Sequence, residues 1–321
     1  MATLLTGAGY IGATLLRRLA ERGGAAAPVV VLDNFFCTSR AQIEAALPAG
    51  TQLIEGDVAN PAVVARAFDT LGDHGEIVVY HLAAQPSAAV AAREPGLTEH
   101  SNLVGARILL EEAHARGARV VFGGSARVYG DELVGQTVDE DTPYGKVGDL
   151  SHLSKIYVEQ LARMIGVPFV SVRLGVTYGL SPIMKANPAF MTVPNLFCQR
   201  AANGDALQIL EDRPLAFIHV ADAADALILA GERMSSEWTV VNAAPQVATI
   251  GQVARTVQEL AEGRGTRRAP RRHLLAVRIL GAASSEATFG ITSRLDCHGF
   301  TPNYELRNGL GDVLDYFLAM R

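Results

Sequence analysis

A glycine-rich turn at the start of the chain has the spacing of a phosphate-binding loop. The segment Thr6-Gly7-Ala8-Gly9-Tyr10-Ile11-Gly12 follows an apolar run and opens an amphipathic helical pattern. Gly7 permits the tight turn, Gly9 lets the backbone approach a pyrophosphate, and Gly12 lets the helix pack closely on the strand. Because the first N–H groups of a helix lack partners and form the positive end of its dipole, we expect them to bind phosphate groups.

An acidic residue at the end of the second predicted strand bears on the choice of nucleotide. Asp33 lies 21 residues after Gly12, where a carboxylate can accept hydrogen bonds from both hydroxyls of an adenosine ribose. The same charge repels a 2′-phosphate, so the sequence predicts NAD rather than NADP as the cofactor. Arg40 lies nearby and leaves NADP open as the alternative.

Strands and helices alternate through the first half of the chain and would position this turn. The predicted strands are Thr3–Thr6, Val29–Leu32, Gln52–Glu55, Ile77–Leu82, Val120–Phe122 and Phe169–Arg173. The predicted helices are Ile11–Arg22, Arg40–Leu47, Ala62–Leu71, Leu97–Arg116 and Ser151–Ile165. Strict alternation implies βαβ units with right-handed crossovers. We therefore predict an α/β Rossmann fold with a doubly wound parallel sheet.

The alternation breaks after Gly179. Residues 180–215 are rich in Pro and Asn and show no clear period. Later predicted elements are the strands Ala216–Val220 and Thr239–Asn242 and the helices Ala221–Glu232, Ile250–Glu262 and Glu305–Leu318. We predict an NAD-binding domain over residues 1–179 and a smaller C-terminal α/β substrate-binding region over residues 180–321, partly interleaved with the first.

Composition disfavours several functional classes. The 321 residues are 49% hydrophobic and 19% charged, which is typical of a globular protein. The net charge of −5 disfavours a nucleic-acid partner, and we interpret the five arginines from Arg264 to Arg272 as a solvated loop because no aromatic residue interleaves them. Neither a membrane span nor a signal peptide is expected, which favours the cytoplasm. Three scattered cysteines argue against disulfides and against a metal site.

Further segments follow one another in an order typical of one protein family. They are Gly56-Asp57-Val58, His81-Leu82-Ala83-Ala84-Gln85, Asn102-Leu103-Val104-Gly105, Gly124-Ser125-Ala126-Arg127-Val128-Tyr129-Gly130, Ser154-Lys155 with Glu159, Arg173 through Tyr178-Gly179, Phe217-Ile218-His219-Val220 with Asp222, and Pro302 with Gly309-Leu310. On these motifs the chain resembles the extended short-chain dehydrogenase/reductases, the NAD-dependent epimerase/dehydratase family. The resemblance spans nearly the whole chain.

The resemblance implies roles for individual residues. Ser125 would hydrogen-bond the substrate oxygen, while Lys155 would bind the nicotinamide ribose and lower the pKa of a catalytic acid/base. The predicted cofactor-binding residues are Gly7, Gly9, Tyr10, Ile11, Gly12, Asp33, Asn34, Asp57, Val58, Leu82, Ala83, Ala84 and Lys155. The predicted substrate-binding residues are Gln85, Ser125 and Arg213.

The residue that normally transfers the proton is missing. In the family a tyrosine four residues before the lysine is the general acid/base, but Ser151 occupies that position here. An aliphatic alcohol hardly ionises near neutral pH, so Ser151 cannot simply replace a phenol.

Four other residues are candidates for the missing role. Tyr144 belongs to a family-like Pro-Tyr-Gly-Lys run and completes the predicted catalytic set with Ser125 and Lys155, provided that the chain after it lets it fold back into the site. His152 has a suitable intrinsic pKa, although a helix rotates it by ~100° from position 151. We expect Tyr157 to pack in the core and Tyr129 to be structural.

Other departures from the family concern the substrate. Dehydratases of the family have an Asp-Glu pair where this chain has Ala126 and Arg127, so elimination of water by their mechanism is not expected. Val176 and Leu215 replace the asparagine and arginine that normally hold a sugar diphosphate. Arg213 is close enough along the chain to compensate for one of them.

The sequence as a whole predicts reversible, NAD-dependent hydride transfer at a secondary alcohol or ketone of a sugar-like or secondary-metabolite substrate. Two alternatives also fit an intact cofactor half beside an altered catalytic half. One is a non-redox cyclase, lyase or isomerase on the same scaffold, and the other is an NAD-binding protein without catalysis. The resemblance also implies a homodimer formed through the helices at residues 97–116 and 151–165.

Overall fold

The computed structural model describes residues 1–23, 27–73, 75–234, 237–264, 277–279 and 288–321. The strands are β1 Ala2–Thr6, β2 Val29–Asp33, β3 Gln52–Glu55, β4 Ile77–His81, β5 Arg119–Ser125, β6 Thr137–Val138, β7 Phe169–Leu174, β8 Val176–Tyr178, β9 Leu207–Ile209, β10 Pro214–His219, β11 Thr239–Ala243, β12 Gln246–Thr249, β13 Val277–Ile279 and β14 Gly290–Ile291. The α-helices are α1 Tyr10–Glu21, α2 Arg40–Ala46, α3 Pro61–Leu71, α4 Ala88–Arg93, α5 Pro95–Thr98, α6 Ala106–Ala115, α7 Leu150–Ile165, α8 Val193–Asn203, α9 Val220–Arg233, α10 Ile250–Gly263 and α11 Leu306–Ala319.

The central sheet has seven strands in the order β3-β2-β1-β4-β5-β7-β11, and every pair is parallel. The chain winds outward from β1 in one direction through β2 and β3, then in the other through β4 and β5. The strand order therefore reverses between β1 and β4. In an open α/β sheet, a ligand binds beyond the carboxyl ends of the strands at such a reversal.

Helices cover both faces of this sheet because successive strand residues point to opposite sides. Leu4 and Leu5 of β1 are both fully buried, yet they belong to different hydrophobic clusters. The cluster with Leu5 includes residues of α1 and α9, and the cluster with Leu4 includes residues of α3, α6 and α7. The structure thus confirms the predicted doubly wound α/β fold.

The residues after Gly179 are interleaved with the sheet. Strand β11 extends the sheet beside β7, and α9 packs on α1. Helices α8, α10 and α11 enclose a separate apolar cluster beside the small sheet β12-β10-β8. This arrangement places the C-terminal segments over the carboxyl ends of the Rossmann strands.

Two predicted segments have a different local structure. The single helix predicted over Leu97–Arg116 is divided into α5, a π-helical stretch at Glu99–Gly105, and α6. Residues 180–215, which show no period in the sequence, include a 3-10 turn, α8 and β9.

Arg264 forms an ion pair with Asp315, whereas the rest of the arginine-rich stretch to Arg272 lies outside the described residues. Within the described ranges, no helix has the length and apolar character needed to cross a bilayer.

Candidate functional site

A cleft of about 770 Å³ lies at the point where the strand order reverses. Its walls come from the loops after β1, β2, β3, β4 and β5, from the first turns of α7, and from the segments around Leu174–Thr177 and Arg213–Ala216. All thirteen residues predicted to bind the cofactor line this one cleft, including Lys155. The fold therefore brings together residues that lie as many as 148 positions apart, from Gly7 to Lys155.

The glycine-rich loop is shaped by close backbone contacts. Gly7 adopts a φ of +85°, and a Cβ at this position would lie 2.6 Å from the Ala83 nitrogen. A Cβ on Gly12 would lie 2.2 Å from the Gly7 carbonyl oxygen, whereas a Cβ on Gly9 would meet no atom of the described residues within 4 Å. Gly9 precedes α1, and no side chain among the described residues caps that helix. The open space at Gly9 and the uncapped helix end fit a pyrophosphate.

Asp33 is fixed at the end of β2 by two backbone donors. Its Oδ2 accepts a hydrogen bond from the Ala8 N–H at 2.8 Å, and its Oδ1 accepts one from the Phe35 N–H at 2.7 Å. Burial raises the pKa of Asp33, and these two bonds lower it in part. Each carboxylate oxygen keeps lone-pair capacity for a ribose hydroxyl, so the position fits an adenosine ribose.

Arg40, the residue that left NADP open, is already engaged. Its guanidinium donates to Glu55 at 2.5 Å and to Glu44 at 3.2 Å, and it lies 5.2 Å from the centre of the Phe35 ring. Two carboxylates thus balance its charge beside the ribose position. This arrangement favours NAD over NADP.

Ser125 and Lys155 face the cleft from neighbouring elements. Ser125 ends β5, and its Oγ accepts a hydrogen bond from the Arg127 N–H at 3.2 Å. The Lys155 ammonium donates to the Gly123 carbonyl at 2.8 Å and lies 4.7 Å from the centre of the Phe122 ring. Burial lowers the pKa of Lys155 to about 8, although Glu159 raises it.

Tyr144 is not brought to Ser125 and Lys155. Its hydroxyl donates to Glu159 Oε2 at 2.9 Å and accepts from Gln160 Nε2 at 2.8 Å, and the residue does not line the cleft. Burial and the Glu159 carboxylate raise the pKa of Tyr144, which is the opposite of what a general base requires. The structure therefore gives this phenol a place in a buried polar network instead of the predicted catalytic place.

That network joins α7 to the sheet. Glu159 is fully buried and receives two hydrogen bonds from the Arg173 guanidinium, at 3.1 and 2.7 Å, and one from Ser171 at 2.6 Å. Arg173 also donates to the Tyr129 hydroxyl at 2.8 Å. Tyr129 thus has the structural place expected of it, and Tyr157 packs against the apolar cluster beneath α7.

The first turn of α7 presents Ser151 and His152 to the cleft. Asp149 caps this helix. Its carboxylate also contacts the His152 ring, with Nδ1 at hydrogen-bond distance from both oxygens, 2.8 Å from Oδ1 and 2.7 Å from Oδ2. Burial raises the pKa of Asp149, but contacts with His152 and Arg127 outweigh it and hold that pKa below its usual range. Asp149 is not among the residues predicted from the sequence, although Asp followed by an amphipathic pattern is a helix N-cap signal.

The predicted substrate residues differ in their availability. Gln85 is buried, and its side chain is used within its own loop, donating to Ser87 O at 3.0 Å and to Thr98 Oγ1 at 2.9 Å while accepting from the Ser87 N–H. Gln85 lines the cleft, although its side-chain amide is engaged within the loop. Arg213 also lines the cleft and pairs with Asp131.

The Arg127 guanidinium donates to both oxygens of the Asp131 carboxylate, at 2.6 and 2.8 Å, and Arg213 pairs with the same carboxylate. Two guanidinium groups therefore meet one carboxylate in the lining of the cleft. Val176 and Leu215, which replace the polar residues typical of the family, line the same cleft. Lys185 also lines the cleft, and its ammonium lies 5.8 Å from the centre of the Tyr10 ring. It is not among the predicted site residues because it falls in the stretch without a period.

Comparisons with known proteins identify the family. The NAD dependent epimerase/dehydratase family matches residues 3–244. The chain is 26% identical over 263 residues to a UDP-N-acetyl-alpha-D-glucosaminuronate decarboxylase of Bacillus cytotoxicus, covering 79% of this chain and 78% of the relative. It is 28% identical over 281 residues to a D-erythronate dehydrogenase of Cupriavidus necator, covering 79% and 82%. The solved Thermus thermophilus UDP-glucose 4-epimerase in complex with NAD has a TM-score of 0.79, 25% identity and 99% coverage of both chains.

Proposed function

The chain belongs to the NAD-dependent epimerase/dehydratase family, and from this premise we propose that it transfers a hydride reversibly between NAD and a secondary alcohol or ketone. The observation that carries the proposal is the cleft, where Ser125 and Lys155 lie with every predicted cofactor residue. The relatives named above include an epimerase, a decarboxylase and a dehydrogenase. All of these names are consistent with chemistry at an oxidisable carbinol carbon.

Each residue has a defined part in this proposal. The first turn of α1 and Asp33 hold the pyrophosphate and the adenosine ribose. Lys155 supplies donors to the second ribose and a positive charge near the reacting oxygen. The Ser125 hydroxyl, whose oxygen already accepts the Arg127 N–H, can donate its proton to the substrate oxygen. The bound cofactor supplies the carbon that accepts or returns the hydride.

We infer the substrate class from the part of the cleft lining where Arg127 and Arg213 share Asp131. Guanidinium and carboxylate groups together can recognise hydroxyl-rich molecules by donating and accepting hydrogen bonds. Val176 and Leu215 offer a diphosphate neither the amide nor the guanidinium that the family normally has at these two positions. We therefore favour a sugar-like or secondary-metabolite polyol whose recognition does not depend on two diphosphate contacts.

A non-redox enzyme on the same scaffold is the second candidate. The observation that favours it is Ser151 at the position of the family's acid/base tyrosine, together with Tyr144 held outside the cleft. In this case NAD would be a fixed structural element while a cyclisation, elimination or isomerisation proceeds beside it. A purely NAD-binding protein would also keep the cofactor residues, Lys155 among them, but it would have no need for Ser125 in the cleft.

One experiment distinguishes these functions. Nucleotide that co-purifies with the protein is released and identified, and the NAD-loaded protein is incubated with UDP-glucose, UDP-glucuronic acid and D-erythronate, each deuterated at its carbinol positions. Our proposal predicts absorbance at the reduced-nicotinamide band, or deuterium on the re-isolated cofactor. Product formation without either signal would support the non-redox enzyme and contradict hydride transfer.

The quaternary structure belongs to the same proposal. Leu97 and Val104 are 37% and 40% exposed, and Leu153 and Met164 are 51% and 83% exposed. These apolar side chains lie on the two helical segments predicted to pair, so we propose a homodimer formed through them. Sedimentation should give a dimer that Val104→Glu and Met164→Glu together convert to a monomer, whereas Leu210→Glu, at an exposed apolar residue elsewhere, should leave it intact. A cytoplasmic location stays a prediction.

A further inference from the structure

We propose that His152, held by Asp149, is the proton-transfer residue that takes the place of the missing tyrosine. This inference rests on the proposed hydride transfer at the same cleft. His152 is the acid/base that touches the substrate oxygen, and Asp149 is a positioning residue that acts through it.

The helix geometry puts His152 beside Lys155. Positions three and four residues apart on an α-helix are neighbours on its surface, so Ser151 and His152 both lie one turn before Lys155. The rotation of ~100° that separates consecutive residues does not remove His152 from the site, because the cleft is wide enough to be lined by both. The side chain of His152 is 17% exposed, which keeps it accessible and mostly packed.

The contacts of the ring leave the required nitrogen available. Nδ1 faces both oxygens of the Asp149 carboxylate at 2.8 and 2.7 Å, and no bond to Nε2 occurs within the described residues. A carboxylate at Nδ1 fixes the tautomer in which Nδ1 carries the hydrogen and Nε2 is the acceptor. A general base that is oriented by a third group in this way is a recurrent catalytic arrangement.

Asp149 is suited to this positioning role because it is held on three sides. Its Oδ1 accepts the backbone N–H of His152 at 3.0 Å, so the helix end fixes the carboxylate. Arg127 Nη1 lies 3.9 Å from Oδ2. The backbone N–H of Arg127 donates to Ser125 Oγ. Arg127 therefore connects the serine loop with the His152–Asp149 pair through its backbone and its side chain.

None of the other candidate residues offers an available base in the cleft. The Ser151 hydroxyl is an aliphatic alcohol, and the Lys155 ammonium donates to the Gly123 carbonyl. Tyr144 is bound to Glu159 and does not line the cleft. Imidazole, in contrast, exchanges protons near neutral pH.

The proposed step balances as an oxidation of a secondary alcohol. The carbinol hydrogen leaves with its electron pair to the oxidised nicotinamide of NAD, and the hydroxyl proton passes to Nε2 of His152. The C–O single bond becomes a C=O double bond, and His152 becomes an imidazolium ion beside the Asp149 carboxylate. The reverse step returns the proton and the hydride to the ketone.

A substrate-free experiment tests the arrangement of the ring. Long-range proton–nitrogen spectra of protein labelled at histidine nitrogen are recorded under mildly alkaline conditions, before and after saturation with NAD, and His152→Gln assigns the signal. We expect the tautomer with hydrogen on Nδ1, a shift of the His152 signals on addition of NAD, and no shift for exposed His114. Hydrogen on Nε2 instead, or His152 signals unmoved while NAD binds, would overturn the inference.

The variants separate this inference from the proposed function. His152→Gln should lower kcat by about 10²–10⁴-fold on the substrate found in the hydride-transfer assay, while NAD affinity stays within about twofold and His114→Gln changes neither quantity. Asp149→Asn keeps a good helix cap but should reverse the tautomer and lower kcat with little change in KM. If NAD does not bind, the proposed function fails. If NAD binds and His152→Gln retains full activity, only the present inference fails.

Discussion

The close packing of the glycine-rich loop makes Gly9 and Gly12 respond differently to the same added methyl group. Gly9 has a φ of −68° and a ψ of −149°, which lies outside the extended and helical regions that other residues prefer, but a Cβ there would meet none of the described atoms within 4 Å. Alanine at this position should therefore lower the free energy of unfolding by only about 1 kcal/mol, through backbone strain alone. The methyl group would, however, fill the space proposed for the pyrophosphate.

The expected cost of Gly9→Ala thus falls on binding. Loss of the close backbone approach should weaken NAD binding by roughly 10–100-fold, which corresponds to about 1.4–2.8 kcal/mol. Gly12→Ala places a Cβ 2.2 Å from the Gly7 carbonyl oxygen, and because this overlap is with backbone it should cost more stability, about 3 kcal/mol or above. Its thermal midpoint should fall by about 1.5 °C for each kcal/mol lost in a chain of 321 residues.

Titration calorimetry with NAD and thermal unfolding without nucleotide measure the two quantities separately. Gly75→Ala is the matched control, because its Cβ also meets open space among the described residues and lies outside the cleft. The reasoning is refuted if Gly9→Ala binds NAD as tightly as the unchanged protein, or if Gly9→Ala and Gly12→Ala lose the same stability.

Three further predictions follow from buried or charged groups. Glu159→Ala should lower the free energy of unfolding by about 3–5 kcal/mol, because it leaves the Arg173 guanidinium buried without its carboxylate. Thermal unfolding measures this loss, and a change under about 1 kcal/mol would contradict the prediction. NAD should bind at least about tenfold more tightly than NADP, and Asp33→Gly should narrow that ratio in parallel titrations, whereas an unchanged ratio would exclude Asp33 as its cause. Burial lowers the pKa of Lys155 to about 8 in the folded protein, whereas an unperturbed lysine has a pKa of about 10.4. Between these two pH values the unfolded chain binds more protons than the folded one, so the free energy of unfolding of the nucleotide-free protein should rise with pH. Denaturant unfolding at several pH values measures this slope, which should be smaller in Lys155→Met.

The parts of the site that sequence reasoning predicted are those fixed by short stretches of chain. The glycine-rich loop, Asp33 at the end of β2 and Lys155 on α7 each depend on a turn or helix whose residues are adjacent in sequence. Short apolar or β-branched runs also predicted the strands, because the sheet is buried on both faces, and helical patterns predicted the larger helices.

The parts that were missed depend on partners that spacing does not reveal. Tyr144 belongs to a family-like motif, but its hydroxyl donates a hydrogen bond to Glu159. Glu159 lies within reach of Tyr144 because α7 packs on β7, where Ser171 also donates to it, and this packing is not visible in the spacing of the sequence. Gln85 lines the cleft as a predicted substrate residue would, but spacing does not reveal that the turn it stabilises engages its amide. Helix α8 was missed although Pro194 in its first turn is a start signal, because the surrounding segment has no clear period.

The most direct test of the account is a crystal structure of the protein with NAD. We predict the pyrophosphate over the N-terminus of α1, the adenosine ribose on Asp33, the second ribose on Lys155, and the nicotinamide ring facing Ser125 and His152. Absence of nucleotide from this cleft at a saturating concentration, or a nicotinamide ring directed away from Ser125 and Lys155, would contradict it.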